Sequence, residues 1–247
     1  MIDVKFIHGD CLEVMPTLPD KSIDIILCDL PYGTTACKWD TIIPFEPLWT
    51  QYKRLIKGNG AIVLTASQPF TSMLVMSNKQ MFKYSLVWDK IKGTGFLNAR
   101  KQPMRNHEDI LIFYSNPPTY NPQKTNGHER KVSFRGKHLQ TDVYGEMKND
   151  YKYDSTDRYP RSIITISTDT QNSSLHPTQK PVTLFEYLIL TYSNEGDLIL
   201  DNCCGSGTSG IAAFNTKRNA ILIEKDETYF NAARERFDRE TRQVAMW

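Results

Sequence analysis

The most restrictive feature of this sequence is a glycine-rich segment near its C-terminal end. The apolar stretch DLILD (197–201) predicts a buried strand, and the pattern that follows predicts a helix over 207–216. Gly205, Gly207 and Gly210 have the spacing G-x-G-x-x-G across this junction. Glycines at this spacing permit a tight turn and let a ligand approach the backbone closely. The segment therefore predicts an α/β arrangement with a strand, a turn and a helix in succession.

A second predicted strand, NAILIEKD (219–226), follows the helix and carries Glu224, 19 residues after Gly205. An acid at this position can bind the hydroxyls of a ribose. A nicotinamide dinucleotide and S-adenosylmethionine both fit this arrangement, and a turn that serves packing alone is the third interpretation. A P-loop is not indicated, because no Gly-Lys-Ser/Thr follows. Asp201 favours S-adenosylmethionine, since a carboxylate suits its positively charged methionyl end and would repel a pyrophosphate.

The rest of the chain alternates between strand and helix patterns, which predicts a mostly parallel sheet with helices on both faces. The other predicted strands are 4–8, 22–29, 61–66, 81–90 and 108–115, and the other predicted helices or helical turns are 11–18, 45–57, 69–78, 182–193 and 227–240. Gly58 and Gly60 are predicted to end the helix at 45–57. Residues 116–174 are irregular, and about sixty such residues are unusual inside a compact domain. We therefore predict an inserted target-recognition region at 116–174, between the two halves of one domain at 1–115 and 175–247.

A short polar motif, Asp29-Leu30-Pro31-Tyr32, comes directly after the buried strand at 22–29, where α/β sheets place their ligands. The Asp29 carboxylate and the Leu30 carbonyl could accept the two hydrogens of an amine. Pro31 would fix the turn, and Tyr32 could stack on a planar base. An ordinary turn with Tyr32 packed on the surface is the alternative interpretation.

Charge is distributed unevenly, although the chain has 30 Lys and Arg against 28 Asp and Glu. Residues 1–50 have a net charge of −5, whereas residues 79–105 carry seven Lys and Arg against Asp89 alone. Four aromatic residues interleave with these cations, which favours a surface for phosphates and stacked bases over ordinary solvated surface.

Five cysteines without C-x-x-C spacing predict reduced thiols, with neither a disulfide framework nor a metal site. The N-terminal segment is too polar for a signal peptide, and no apolar run approaches about 18 residues. We therefore expect a cytoplasmic protein that makes no membrane contact.

Four segments of the chain resemble the motifs of β-type, circularly permuted, amino-methylating DNA methyltransferases, in which the catalytic motif comes first and the cofactor motif last. Residues 29–32 resemble their D/N/S-P-P-Y motif, and residues 201–208 (DNCCGSGT) resemble their D-P-F-x-G-S-G-T motif. The segments HPTQKP (176–181) and HGDCLE (8–13) also match, and the likeness lapses across 116–174. The sequence departs from the family at Leu30, which replaces the first proline, and at Asn202-Cys203-Cys204, which replaces Pro-Phe-x.

The resemblance implies a Rossmann-like, S-adenosylmethionine-dependent methyltransferase fold, with a mostly parallel seven-stranded sheet in circularly permuted order. It implies methyl transfer from S-adenosylmethionine to the exocyclic amine of a base flipped out of double-stranded DNA. Asp29 favours adenine N6, since relatives that modify cytosine N4 more often have serine there. Cytosine N4, an RNA adenine, a protein glutamine amide and a non-catalytic DNA-binding subunit are the alternatives.

The resemblance also implies the roles of thirteen residues. The implied catalytic residues are Asp29, Leu30, Pro31 and Tyr32, and the implied cofactor-binding residues are Asp10, Lys180, Asp201, Cys203, Gly205, Ser206, Gly207, Thr208 and Glu224. Lys180 is expected to shape the methionine pocket, and Asp10 is alternatively a helix N-cap. The hydroxyls of Ser206 and Thr208 either contact the methionine carboxylate or cap a helix. His107 and His176 are expected to be structural.

The partner implied by the resemblance is double-stranded DNA in a bacterial or phage-encoded system. Relatives often dimerise, so a homodimer is an expectation, although no dimer face is evident in the sequence. A companion restriction endonuclease is expected for a restriction–modification enzyme and none for a solitary or phage enzyme.

Overall fold

The computed structural model describes residues 2–35, 37, 40–136, 140–141, 145–146, 150–168 and 179–244. Its strands are β1 (Val4–His8), β2 (Ile23–Asp29), β3 (Ile56–Ala66), β4 (Phe82–Thr94), β5 (Arg105–Phe113), β6 (Lys131–Arg135), β7 (Gln140–Thr141), β8 (Gly145–Glu146), β9 (Tyr151–Ser155), β10 (Ile163–Thr165), β11 (Leu198–Asp201) and β12 (Asn219–Glu224). Its α-helices are α1 (Cys11–Val14), α2 (Phe45–Leu55), α3 (Phe70–Ser77), α4 (Val182–Tyr192), α5 (Thr208–Asn215) and α6 (Glu227–Val244). None of these helices combines the length and the apolar character that crossing a membrane requires.

Eight of the described strands form one sheet in the order β1-β12-β11-β2-β3-β5-β4-β10. Neighbouring strands pair in parallel except at β5, which runs antiparallel to both β3 and β4. The predicted mostly parallel sheet is confirmed, with one strand more than the seven expected. The additional strand, β10, pairs with β4 at the edge of the sheet. Its three residues are too few to show a period in the sequence.

The two faces of the sheet are buried by different helices. Ile26 and Cys28 of β2 pack in a cluster with α2 and α3, whereas Ile25 and Leu27 pack in a second cluster with α4 and α5. Because both faces are covered, β2 is apolar along most of its length. This burial fixes the strand and therefore the position of Asp29 at its end.

The junction between α2 and β3 differs from the prediction. The helix ends at Leu55, and Gly58 and Gly60 lie within β3 instead of ending the helix. A Cβ atom on Gly60 would lie 2.6 Å from the carbonyl oxygen of Asp24 in β2. Gly60 is therefore required for the close approach of two strands.

Residues 122–161 form a second compact unit. Within it, β6 pairs with β9 and β7 pairs with β8, both antiparallel. The predicted insertion at 116–174 contains this whole unit and also β10, which belongs to the large sheet. A recognition role for the unit stays a prediction.

Candidate active site

The carboxyl ends of β2, β11 and β12 open onto one cleft of about 1540 Å³. Because the three strands are parallel and lie side by side, Asp29, Asp201 and Glu224 reach the same edge of the sheet. The predicted site residues that line the cleft are Asp10, Asp29, Leu30, Pro31, Tyr32, Lys180, Asp201, Cys203, Gly205, Ser206, Thr208 and Glu224. Gly207 is the one predicted site residue that does not.

The Asp29 carboxylate is held by three donors. Its Oδ1 accepts a hydrogen bond of 2.7 Å from the Tyr32 hydroxyl and another from the Thr65 hydroxyl. Its Oδ2 lies 2.6 Å from the Nζ atom of Lys180. The carboxylate is therefore fixed from both sides and stays partly open to the cleft.

Lys180 belongs to a row of alternating charges that sequence reasoning did not assemble. Its Nζ atom lies 3.4 Å from Oε2 of Glu108, and Oε1 of Glu108 lies 3.1 Å from Nζ of Lys90. Lys90 and Lys180 are both buried. Burial alone would lower the pKa of Lys180, but the carboxylates of Asp29 and Glu108 raise it above its ordinary value. The ammonium group thus stays charged in the protein interior.

Tyr32 packs with its ring against a second aromatic side chain. The Tyr32 and Phe70 rings stack with their centroids 5.2 Å apart. Burial, followed by the charges of Asp29 and Glu108, raises the pKa of Tyr32 well above its ordinary value. The hydroxyl therefore stays protonated and remains a donor to Asp29.

The glycine loop is tied to the acid at the end of β12. The amide of Gly205 donates to Oε2 of Glu224 at 2.9 Å, and the amide of Asp226 donates to Oε1 at 2.9 Å. Gly207 has a φ of +74°, and a Cβ atom there would lie 3.1 Å from the Cβ of Ala233. Gly207 thus permits a left-handed turn and close packing on α6, which explains its place behind the cleft.

The hydroxyls of Ser206 and Thr208 contact a residue that sequence reasoning missed. Nη1 of Arg236 lies 3.3 Å from Oγ of Ser206 and 3.0 Å from Oγ1 of Thr208. Helix α5 begins after Gly207 without a side-chain cap, so the alternative in which these hydroxyls cap the helix is wrong. Arg236 lies in helix α6, most of whose charged residues are typical of an exposed surface. The sequence therefore gives no sign that this one arginine is buried.

Asp201 is almost fully buried beside the glycine loop. It accepts hydrogen bonds from the Cys203 amide at 3.1 Å and from the Ser209 hydroxyl at 2.5 Å. Burial raises the pKa of Asp201 to about 6.

Burial also raises the pKa of the Cys28 thiol to about 12, so this thiol stays protonated and is a poor nucleophile.

Asp10 caps the first helix, as one of the two interpretations predicted. Its Oδ1 accepts from the Leu12 amide at 2.8 Å, and its Oδ2 pairs with Nζ of Lys225 at 2.9 Å. The side-chain hydrogen bond from Lys225 is the main reason that the pKa of Asp10 is lowered. Contact with a cofactor stays a prediction.

The loop after Tyr32 is organised by Asp40, which sequence reasoning also missed. The carboxylate accepts the amides of Gly33, Thr34 and Thr35 at 2.7–2.9 Å. Of the two histidines considered, His107 is exposed, and His176 lies outside the described residues.

A family model described as DNA methylase (N6_N4_Mtase) matches residues 23–235. Because the match spans most of the chain and includes both the Asp29 motif and the glycine loop, this chain belongs to that family of DNA methylases.

Two named relatives are similar over most of this chain. The Type II methyltransferase M.HpaI of Haemophilus parainfluenzae is 28% identical over 252 residues, which cover 97% of this chain and 76% of that protein. The DNA adenine methyltransferase YhdJ of Escherichia coli (strain K12) is 27% identical over 252 residues, with coverage of 94% and 82%.

Two solved structures share the fold at low sequence identity. The M1.HpyAVI–SAM complex has a TM-score of 0.64 and 24% identity, and the alignment covers 96% of this chain and 100% of that one. The cytosine-N4-specific PvuII DNA methyltransferase has a TM-score of 0.68 and 15% identity, with coverage of 97% and 90%. The predicted methyltransferase fold is confirmed.

Proposed function

We propose that this protein transfers a methyl group from S-adenosylmethionine to the N6 amine of an adenine flipped out of double-stranded DNA, within a specific target sequence. The observation that carries the proposal is the Asp29 carboxylate, fixed at the end of β2 and open to the same cleft as the glycine loop. The adenine assignment is supported by Asp29 and by similarity to YhdJ, which is named a DNA adenine methyltransferase.

The end of the cleft formed by the glycine loop has the donors and acceptors that S-adenosylmethionine needs. Gly205 has no side chain to cover its backbone, Glu224 provides a carboxylate for ribose hydroxyls, and Asp201 provides one for the cationic methionyl end. When bound, S-adenosylmethionine supplies an electrophilic methyl group on a sulfonium. Cys203, Ser206 and the other lining residues of the loop would shape the pocket around it.

Asp29 would act on the amine that receives the methyl group. A carboxylate has about four acceptor positions, and three of those on Asp29 are in use, which leaves one for an amine hydrogen. The Leu30 carbonyl would accept the second hydrogen. Two acceptors favour a pyramidal nitrogen and stabilise the positive charge that develops on it. The released proton can pass to water, so neither a cysteine nor His107 is needed.

Tyr32 would hold the flipped base by stacking. Phe70 lies against the Tyr32 ring, and Pro31 restricts the turn that carries it. A ring that is already supported loses little freedom when a base stacks on it. Tyr32 therefore suits a planar substrate such as a base.

Lys180 would position Asp29. Its ammonium contacts Asp29 directly, and the Glu108–Lys90 pair holds that ammonium from the other side. Because Lys180 is buried, it presents one fixed geometry to the carboxylate. In this proposal the side chain acts at the amine end of the cleft, and its peptide carbonyl accepts from Thr208 of the glycine loop at 3.3 Å.

Replacement of Asp29 tests the proposed chemistry. Asp29→Ala removes the acceptor of the amine hydrogen, so methyl transfer to duplex DNA should be lost while the Kd for S-adenosylmethionine changes by less than about tenfold. Asp238→Ala is the matched control, because this carboxylate is exposed on α6 and its ion-pair partner, Arg242, is exposed as well. Wild-type turnover by Asp29→Ala would contradict the proposal.

The choice of substrate is tested with the same proteins. Tritiated S-adenosylmethionine should label duplex DNA and leave duplex RNA and glutamine peptides unlabelled. Absence of S-adenosylmethionine binding in calorimetry would instead favour a non-catalytic DNA-binding subunit. A homodimer and a companion endonuclease stay predictions.

A further inference from the structure

The hairpin that joins β4 and β5 carries a concentrated positive charge. Residues 90–105 contain five Lys and Arg and no Asp or Glu. Lys92, Arg100, Lys101 and Arg105 in this segment are exposed. Such a surface is complementary to a nucleic-acid backbone.

Two large apolar side chains project from the tip of this hairpin. Phe96 is 77% exposed and Leu97 is 96% exposed. They lie on a turn of 3-10 helix (Phe96–Asn98) that begins after Gly95, whose φ is +89°. Backbone hydrogen bonds close the turn, including Asn98 N to Gly95 O at 2.9 Å and Lys101 N to Asn98 O at 2.8 Å. Hydrogen bonds thus hold the backbone of the tip in one conformation. The side chains of Phe96 and Leu97 nevertheless stay exposed and add nothing to the hydrophobic core.

The base of the hairpin belongs to the catalytic cleft. Lys90, Lys92, Thr94 and Arg105 line the cleft, and the Thr94 hydroxyl donates to the Arg105 carbonyl at 3.0 Å. Leu97 follows Thr94 by three residues, so their Cα atoms are at most about 11 Å apart. The apolar tip is therefore held at the rim of the cleft that contains Asp29.

We propose that this tip enters duplex DNA beside the target base, and that Phe96 and Leu97 fill the space left in the stack when the base is flipped. The inference rests on the proposed function and assigns it a strand-opening element. An apolar wedge of this kind offsets part of the unstacking cost, which is a few kcal/mol for a paired base. The surrounding Lys and Arg side chains contact the phosphates on either side.

The test compares a paired with an unpaired target. The site is first identified by sequencing DNA that the wild-type protein has methylated. Single-turnover methylation by Phe96→Ala/Leu97→Ala is then measured on a duplex with that site intact and on one with a mismatch opposite the target adenine. We expect a loss of about tenfold or more on the paired duplex and a loss of less than about threefold on the mismatch, since a mismatched base costs less to unpair and flip out.

Two control variants separate the wedge from other roles of this surface. Met76→Ala removes an exposed apolar side chain of α3 that does not line the cleft, and it should match the wild type on both duplexes. Arg100→Gln/Lys101→Gln should weaken binding to both duplexes and reduce its dependence on salt concentration.

Several outcomes would overturn the inference while leaving the proposed function intact. One is that Phe96→Ala/Leu97→Ala lowers the methylation rate equally on the paired and mismatched duplexes, and another is that it leaves both rates unchanged. A third is that the wild-type protein is a dimer in light scattering and this variant is a monomer. The last result would assign the tip to contact with a second copy of the chain. A wild-type protein that methylates no DNA would refute the proposed function itself.

Discussion

Replacing Lys180 with glutamine separates a positioning role for this residue from a cofactor-binding one. Nζ of Lys180 lies 2.6 Å from Asp29 and 3.4 Å from Glu108. Removing the ammonium leaves Glu108 paired with Lys90 and removes from Asp29 its ion-pair partner.

The size of the effect follows from the burial of the pair. Breaking a buried ion pair by removing one partner costs about 3–5 kcal/mol. The Asp29 side chain is 23% exposed and water can partly replace the lost partner, so we expect the lower end, about 3 kcal/mol, in the free energy of unfolding. If Asp29 loses a similar amount of its stabilisation of the transition state, the barrier rises by about 3 kcal/mol, which corresponds to roughly a 100-fold loss of kcat.

The assay combines kinetics with a double-mutant cycle. Lys180→Gln should lower kcat by about 100-fold and change the Kd for S-adenosylmethionine by less than about threefold, and Lys180→Arg should restore part of the activity. In urea unfolding, Lys180→Gln should cost about 3 kcal/mol in the wild type and less than about 1 kcal/mol in an Asp29→Asn background. An equal cost in both backgrounds, or loss of cofactor binding with unchanged kcat, would refute the reasoning.

Three further predictions concern the glycine-loop end of the cleft. Burial raises the pKa of Asp201 from its ordinary value of 3.8 to about 6 in the folded protein, so the folded state binds the extra proton and stability falls as pH rises between these values. Asp201→Asn should lack this decline and gain roughly 2 kcal/mol relative to the wild type between pH 4 and pH 7 in urea titrations, and parallel profiles would contradict this. Glu224→Ala should raise the Kd for S-adenosylmethionine by about 10- to 100-fold in calorimetry and leave kcat at saturation within a few fold. Arg236→Met removes the buried donor to the Ser206 carbonyl and to the hydroxyls of Ser206 and Thr208, so unfolding measurements should show a loss of about 1–3 kcal/mol, and hydrogen exchange at the loop amides should accelerate.

The sheet could be predicted because its strands are either continuous apolar runs or lie beside strong turn signals. β2, β11 and β12 are predicted in this way, and the alternation of strands and helices along the chain predicts a mostly parallel sheet. β10 could not be identified, because three residues carry no period. The start of β3 was misplaced because Gly58 and Gly60 end helices more often than they permit two strands to approach.

In the candidate site, too, some residues could be predicted from the sequence and others could not. Asp29, Tyr32 and Glu224 lie in short contiguous motifs at strand ends, so their convergence could be predicted from a parallel sheet. Lys90 and Glu108 come from neighbouring antiparallel strands, and only the register of β4 against β5 brings them together. The local sequence around them resembles ordinary charged surface, so their burial could not be read from the sequence.

The central claim is that this protein methylates the N6 amine of adenine in duplex DNA. Its most direct test is mass spectrometry of nucleosides from duplex DNA that has been incubated with the purified protein and deuterated S-adenosylmethionine. We predict labelled N6-methyl-2′-deoxyadenosine in the wild-type digest and none in the Asp29→Ala digest. Labelled N4-methyl-2′-deoxycytidine, or no labelled nucleoside at all, would contradict the account.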